Sequence, residues 1–243
     1  MTVGNVYDII DSIAPFSEQM EFDNAGLLIG SRENEARKIL VCLDVSLKVA
    51  LEAKEKGCDL IVSHHPLIFS PLYNIESDSI PVFLIKNNIS LISAHTNIDL
   101  SERGTNAYLF ELLGLKNLKR EGLLFKGELE KEVSAEEFLG LVKTKIKTEK
   151  MRYVNPKSVK TVAICSGSGG DLLKEAADCD CFITGDVKHN VFIEAKNKGQ
   201  MLLDAGHFET EWVFVKRFAE IIREKTKAEV ISSEKEERPF EIY

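Results

Sequence analysis

Five side chains in this sequence have the types and spacing to bind divalent metal ions: His64 and His65, Asp99, His207 and Glu211. There are only five histidines, and His64, His65 and His207 each follow an apolar, strand-like run, LIVS or MLLDAG. Residues at the carboxyl ends of parallel strands line the crevice in which α/β proteins bind ligands. Adjacent strand residues point to opposite faces. His64 and His65 therefore reach one pocket only if the backbone leaves the strand there, which Pro66 favours. Two imidazoles spread in this way suit two neighbouring metals better than one. His207 and Glu211, four residues apart at a helix start, share one face of a turn. A carboxylate can bridge two cations, and Asp99 adds a second negative charge. Three histidines with two carboxylates suit Zn, Mn, Fe, Co or Ni; the set is nitrogen-rich for Ca and unusual for Mg.

Other candidates have plainer readings beside the functional ones. His95 leaves its strand at the right place to be a ligand, a partner of a ligand, or an acid/base. His189, after TGDVK, could line the same cleft or lie on the surface. Asp44, before Ser46, reads as a helix-start residue rather than a ligand. SGSGG (166–170) resembles a phosphate cradle, but it lacks the lysine and spacing of a P-loop and reads as a tight turn. Cys179 and Cys181 have no second cysteine pair with which to complete a metal site.

The elements that must position these residues follow from periodicity. Residues 3–14 repeat apolar positions at helical spacing up to Pro15. EFDNAGLLIGS reads as a loop and KILVCLDV as a strand. Ser46 caps a helix that Gly57 ends. DLIVS is a strand running into His64, PVFLIKNN a helix, SLISAHTNID a strand left at His95, and NAYLFELLGL a helix. In the second half VKTVAIC, DCFITGD and MLLDAGH are strands. DLLKEAADC, IEAKNKG and TEWVFVKRFAEIIREKT are helices. Strands alternating with helices imply α/β architecture with largely parallel sheets covered on both faces, a three-layer arrangement.

The halves can be laid on each other. CDLIVSHH (58–65) matches CDCFITGD (179–186), and SAH (93–95) matches DAGH (204–207). A carboxylate stands four residues beyond each of those histidines, Asp99 after His95 and Glu211 after His207. An internal duplication is expected, with halves 1–120 and 121–227 and the tail 228–243 packing back on the first half. Ser134 and Glu137 form a capping box in the Lys/Glu-rich segment that joins them.

Bulk properties bound the function. The chain has 243 residues, 44% hydrophobic and 29% charged, with a formal net charge of -8. That charge repels phosphate backbones, and Lys143, Lys145, Lys147 and Lys150 read as a solvated helix face, so no nucleic-acid partner is expected. No stretch reaches the roughly 18 apolar residues of a membrane span, and no secretory signal is visible. Four of the five cysteines lie in or beside apolar runs and the count is odd, which reads as reduced thiols of a cytoplasmic protein.

Taken together, FDNAGLLIG (22–30), SHHPLIF (63–69), SAHTNIDL (93–100), TGD (184–186) and DAGHFETE (204–211) resemble the NIF-three-like family, also known as GTP cyclohydrolase type 2-like or dinuclear metal-centre proteins. The motifs run in the family's order across nearly the whole chain. The resemblance implies a duplicated α/β fold, a two-metal site in the cleft between the halves, and a ring-shaped homohexamer. By motif position it implies that His64, His65, Asp99, His207 and Glu211 are the metal ligands, with Glu211 bridging, and that His95 is a nearby non-ligand histidine. The chain has no room for the domain inserted in some members, and the glycine-rich start of the second half appears as LLFKGEL. The expected function is a two-metal hydrolase acting on a small molecule, with nucleotides among the candidate substrates, through an activated water, with His95 or His189 moving protons. The rival is a non-catalytic metal-binding or scaffold protein.

Overall fold

A computed structural model describes residues 1–148 and 150–241. In chain order the elements are α1 (Val3–Asp11), β1 (Gly26–Ile29), β2 (Lys38–Cys42), α2 (Leu47–Glu55), β3 (Leu60–Ser63), α3 (Ile80–Lys86), β4 (Ser90–Ser93), α4 (Thr96–Leu100), α5 (Thr105–Leu112), β5 (Lys116–Glu121), β6 (Leu124–Val133), α6 (Ala135–Ile146), β7 (Arg152–Val154), β8 (Val159–Ile164), β9 (Cys181–Thr184), α7 (His189–Lys198), β10 (Met201–Asp204), α8 (His207–Lys225) and β11 (Glu229–Ser232). They form two compact units, residues 1–101 with 215–243 and residues 102–214. The first division precedes α5, and the second falls within α8. The sequence reading, with limits at 120 and 227, put α5 in the first half. Its Leu109 and Phe110, with Leu113 just past its end, instead join the core built on β8, β9 and β10.

The first unit holds a five-stranded sheet in the order β1-β4-β3-β2-β11. β4, β3, β2 and β11 run parallel, and β1 is antiparallel to β4. β3 and β4 are buried at every residue, as strands covered on both faces should be. Leu40, Cys42, Ile61 and Leu91 pack on one face with Val49 and Ala53 of α2 and Leu84 of α3. Ser46 caps α2 by accepting the Val49 N–H, as its position predicts. β1 falls in a segment expected as a loop; it is an edge strand, only half-buried at Leu27 and Leu28. α1 ends at Asp11, three residues before the expected limit, and Ser12 closes it.

The second unit holds a six-stranded sheet in the order β5-β6-β8-β9-β10-β7, in which β8, β9 and β10 are parallel. Alternate strand residues go to opposite faces. Val162, Ile164, Ile183 and Leu203 pack with α5 and α6, while Ala163, Phe182 and Leu202 pack with Val191 and Ala195 of α7. The Ser134–Glu137 capping box forms at the start of α6. Residues 171–179, expected as a helix, form a 3₁₀ turn (Gly170–Leu172) followed by further turns. The buried residues there, Leu173, Ala176 and Cys179, recur every third position, the period of the tighter coil. Among the described residues no helix is long and apolar enough to cross a membrane.

Candidate metal centre

Register brings the first cluster together. Cys42, Ser63 and Ser93 lie side by side at the ends of β2, β3 and β4. Two residues further on, the three chains deliver Asp44, His65 and His95. The backbone pairing persists past β3, with the His64 N–H donating to Cys42 O (3.1 Å) and the His65 N–H to Leu43 O (2.9 Å). Rings at successive positions nevertheless meet on one side: the His64–His65, His64–His95 and His65–His95 centroids are 4.9, 5.3 and 5.5 Å apart. One ligating atom from each of these three histidines lies within 4.8 Å of those of the others. Asp99, buried on α4, brings Oδ2 to 3.7 Å from His64 Nε2.

Each ring is oriented through Nδ1. His64 Nδ1 lies 3.0 Å from the Ala94 carbonyl. A carbonyl only accepts, so Nδ1 is the donor of this bond and Nε2 faces Asp99. His65 Nδ1 meets Asp44 Oδ1 and His95 Nδ1 meets Asp23 Oδ1, both at 2.9 Å. The Asp23 side chain is buried, and its carboxylate also accepts the Thr96 N–H at 3.0 Å and the Thr96 hydroxyl. Burial works to raise its pKa, but the hydrogen bonds from His95 and Thr96 hold it well below the usual carboxylate range.

The second unit repeats the pattern. His207 opens α8, with Nδ1 2.8 Å from Asp186 Oδ2 and Nε2 3.1 Å from Oε2 of the buried Glu211. The i,i+4 spacing thus puts both on one face of the turn. Gly167 passes so close that a Cβ there would lie 2.1 Å from Glu211 Oε1, and its φ is +63°. SGSGG is the tight turn expected. The Gly167 and Gly169 N–H groups donate to the hydroxyls of Thr210 (3.0 Å) and Thr184 (2.8 Å), so they serve packing and not a phosphate.

His95 stands with His64 and His65, whereas His189 is exposed at the first residue of α7. Asp44 neither caps a helix nor joins the cluster of nitrogens; it holds His65. Asp23, Asp44 and Asp186 were missed as ring-orienting partners. The signal was present for Asp23 and Asp186, since both lie in the quoted motifs FDNAGLLIG and TGD. The Cys42, Cys58, Cys165, Cys179 and Cys181 thiols are buried, and burial pushes those of Cys58 and Cys179 up to about 11, which suits inert core thiols.

Parallel strands ending in histidine and carboxylate clusters, with the rings oriented by carboxylates or a carbonyl, define an α/β protein whose side chains could hold metal ions. The chain belongs to the Duf34/NIF3 (NGG1p interacting factor 3) family, whose model matches residues 1–239. It is 36% identical, over the whole of both chains, to a GTP cyclohydrolase 1 type 2 homolog of Clostridium perfringens. It is 35% identical to the GTP cyclohydrolase 1 type 2 of Helicobacter pylori 26695, covering 90% of this chain and 91% of the other. Among solved structures it resembles a Staphylococcus aureus hypothetical protein (TM-score 0.93, 28% identity, 100% and 99% of the two chains). It also resembles reduced HcgD from Methanocaldococcus jannaschii (TM-score 0.85, 31% identity, 96% and 97%).

Proposed function

We propose that this chain is a metal-dependent hydrolase. His64, His65, Asp99, His207 and Glu211 would serve as ligands to divalent ions drawn from Zn, Mn, Fe, Co or Ni, two per chain. The observation that carries this reading is the shared orientation of the rings. His64, His65 and His207 each engage Nδ1 with a carbonyl or a carboxylate, the outer arrangement that ligating histidines need. Glu211 supports the assignment as bridging ligand because it is a buried carboxylate beside His207 Nε2. The internal duplication is supported by the matching placement of the clusters after the parallel strands of each sheet.

When bound, a pair of such ions polarises an oxygen of the substrate and makes water acidic enough to attack near neutral pH. The protein's own contribution is to hold ligands and move protons. His95 is the residue for proton transfer: its Nδ1 is held by Asp23, which leaves Nε2 to exchange a proton with substrate. The relatives' names point to a purine nucleotide as the small-molecule substrate, and a ring-opening or phosphoester hydrolysis would use the same groups. The buried thiols suit a cytoplasmic location.

Elemental analysis of purified protein tests the metal assignment. About two transition-metal ions per chain are expected, and His64→Ala or Glu211→Ala should each lower that content strongly. Unchanged stoichiometry in both variants defeats the assignment. A fully metallated protein with no turnover across a broad hydrolase screen would instead make it a metal-binding protein.

A further inference from the structure

The C-terminal segment does more than complete a sheet. β11 pairs with β2 from Glu229–Lys38 to Ser232–Val41, and the Ser233 N–H then donates to Val41 O (2.8 Å). Past that point two carboxylates fasten the segment to the first unit. Glu52 of α2 accepts from Ser233 Oγ (2.6 Å) and from the N–H groups of Glu234 (2.9 Å) and Lys235 (3.3 Å). The next contact runs the other way. Glu236 Oε1 accepts the N–H groups of Leu43 (2.5 Å) and Asp44 (2.6 Å), the two residues that follow β2.

Those two residues help to position His65, whose carbonyl also accepts from the Ser63 hydroxyl at 2.8 Å. The Leu43 carbonyl accepts the His65 N–H, and the Asp44 carboxylate accepts from Nδ1. The rings of the other two histidines of this unit are held elsewhere. His64 bonds to a carbonyl that directly continues β4, and His95 to a buried carboxylate also held by Thr96. Asp44 is half-exposed and lies past the end of its strand. Both N–H groups converge on one oxygen of Glu236, so the place of Asp44 depends on that side chain. The segment from Glu236 to Glu241 also lines, together with Asp44 and His65, a cavity of about 920 Å³.

We propose that Glu236 is a positioning residue for the metal centre, clamping Leu43 and Asp44 so that the His65 ring is held ready for its ion. This rests on the metal reading above. The test is titration of metal-free protein with Co(II), followed by visible absorption, with hydrogen exchange of the Leu43 and Asp44 amides as a metal-independent readout. Glu236→Ala should weaken Co(II) binding about tenfold, the lower end of what loss of an outer partner does. It should alter the absorption bands and speed exchange at both amides. Glu236→Gln, which keeps an acceptor oxygen, should restore most of the affinity. Glu237→Ala, removing the adjacent carboxylate that pairs with Lys48, should behave as wild type. If Glu236→Ala does not fold, Glu236→Asp decides: one methylene shorter, it cannot reach both amides and should show the same loss. Wild-type affinity and spectrum in the folded variant overturn the positioning role alone. Failure of wild-type protein to bind Co(II) overturns the metal reading and this role with it.

Discussion

Asp23 Oδ1 receives Nδ1 of His95 at 2.9 Å, joining residues 72 positions apart in the chain. The carboxylate is fully buried, and its second oxygen takes the Thr96 N–H and hydroxyl. A group so completely satisfied in its ionised form ties folding to pH. In the folded chain Asp23 titrates well below the usual range, since the His95 and Thr96 hydrogen bonds outweigh the opposing effect of burial. Its stabilisation is therefore full above the unfolded pKa, about 4, and is lost as pH falls through the folded value. In urea melts of metal-free protein, wild type should lose stability between about pH 4 and 2 more steeply than Asp23→Asn. At neutral pH Asp23→Ala should cost about 2–3 kcal/mol. Parallel pH profiles for wild type and Asp23→Asn would remove Asp23 as the source.

His95 is the discriminating residue, because its ring lies 5.3 and 5.5 Å from those of His64 and His65, which are themselves 4.9 Å apart. On the proposed assignment His95→Ala keeps about two metals per chain and slows turnover about a hundredfold. Elemental analysis beside a rate measurement reads both. Loss of metal would make His95 a ligand, and full metal with full turnover would make it a bystander.

Assembly is the third expectation. The loop between β3 and α3 exposes Leu72, Tyr73 and Ile75, with Tyr73 93% accessible, which is apolar surface suited to burial against other copies. Light scattering at micromolar concentration should give about six times the 27.2 kDa chain mass. A strictly monomeric species counts against the hexamer.

Much of the fold was legible because parallel strands buried on both faces read as continuous apolar runs. LIVS, SLIS, CFIT and MLLD are all such runs, and each is a strand. The hairpin of β5 and β6 was not legible, since KNLKRE is exposed at every residue and carries no hydrophobic period. The histidines stood out by number and by position after strands. Their partners did not. Asp44 meets His65 only because β2 and β3 end in register, and Asp23 meets His95 only because its loop folds back on β4's exit. Such pairings are tertiary, and no local spacing encodes them.

Gly167 offers a test that separates backbone strain from damage to the site. Both Gly167 (φ +63°) and Gly122 (φ +60°) adopt the left-handed conformation, which costs a non-glycine residue on the order of 1–3 kcal/mol. They differ in what a methyl group would meet. At Gly122 nothing lies within 4 Å, whereas at Gly167 the Cβ would fall 2.1 Å from Glu211 Oε1 and 3.4 Å from His207 Nε2. No van der Waals contact is that short, so Glu211 must swing away or the turn must open. Gly122→Ala should lower the melting temperature by a few degrees, about 1 kcal/mol, and leave metal content untouched. Gly167→Ala should lose at least as much stability and also lose bound metal, because it displaces the proposed bridging carboxylate. Equal metal content in the two variants, measured on folded protein, would mean that Glu211 is not needed to hold the ions.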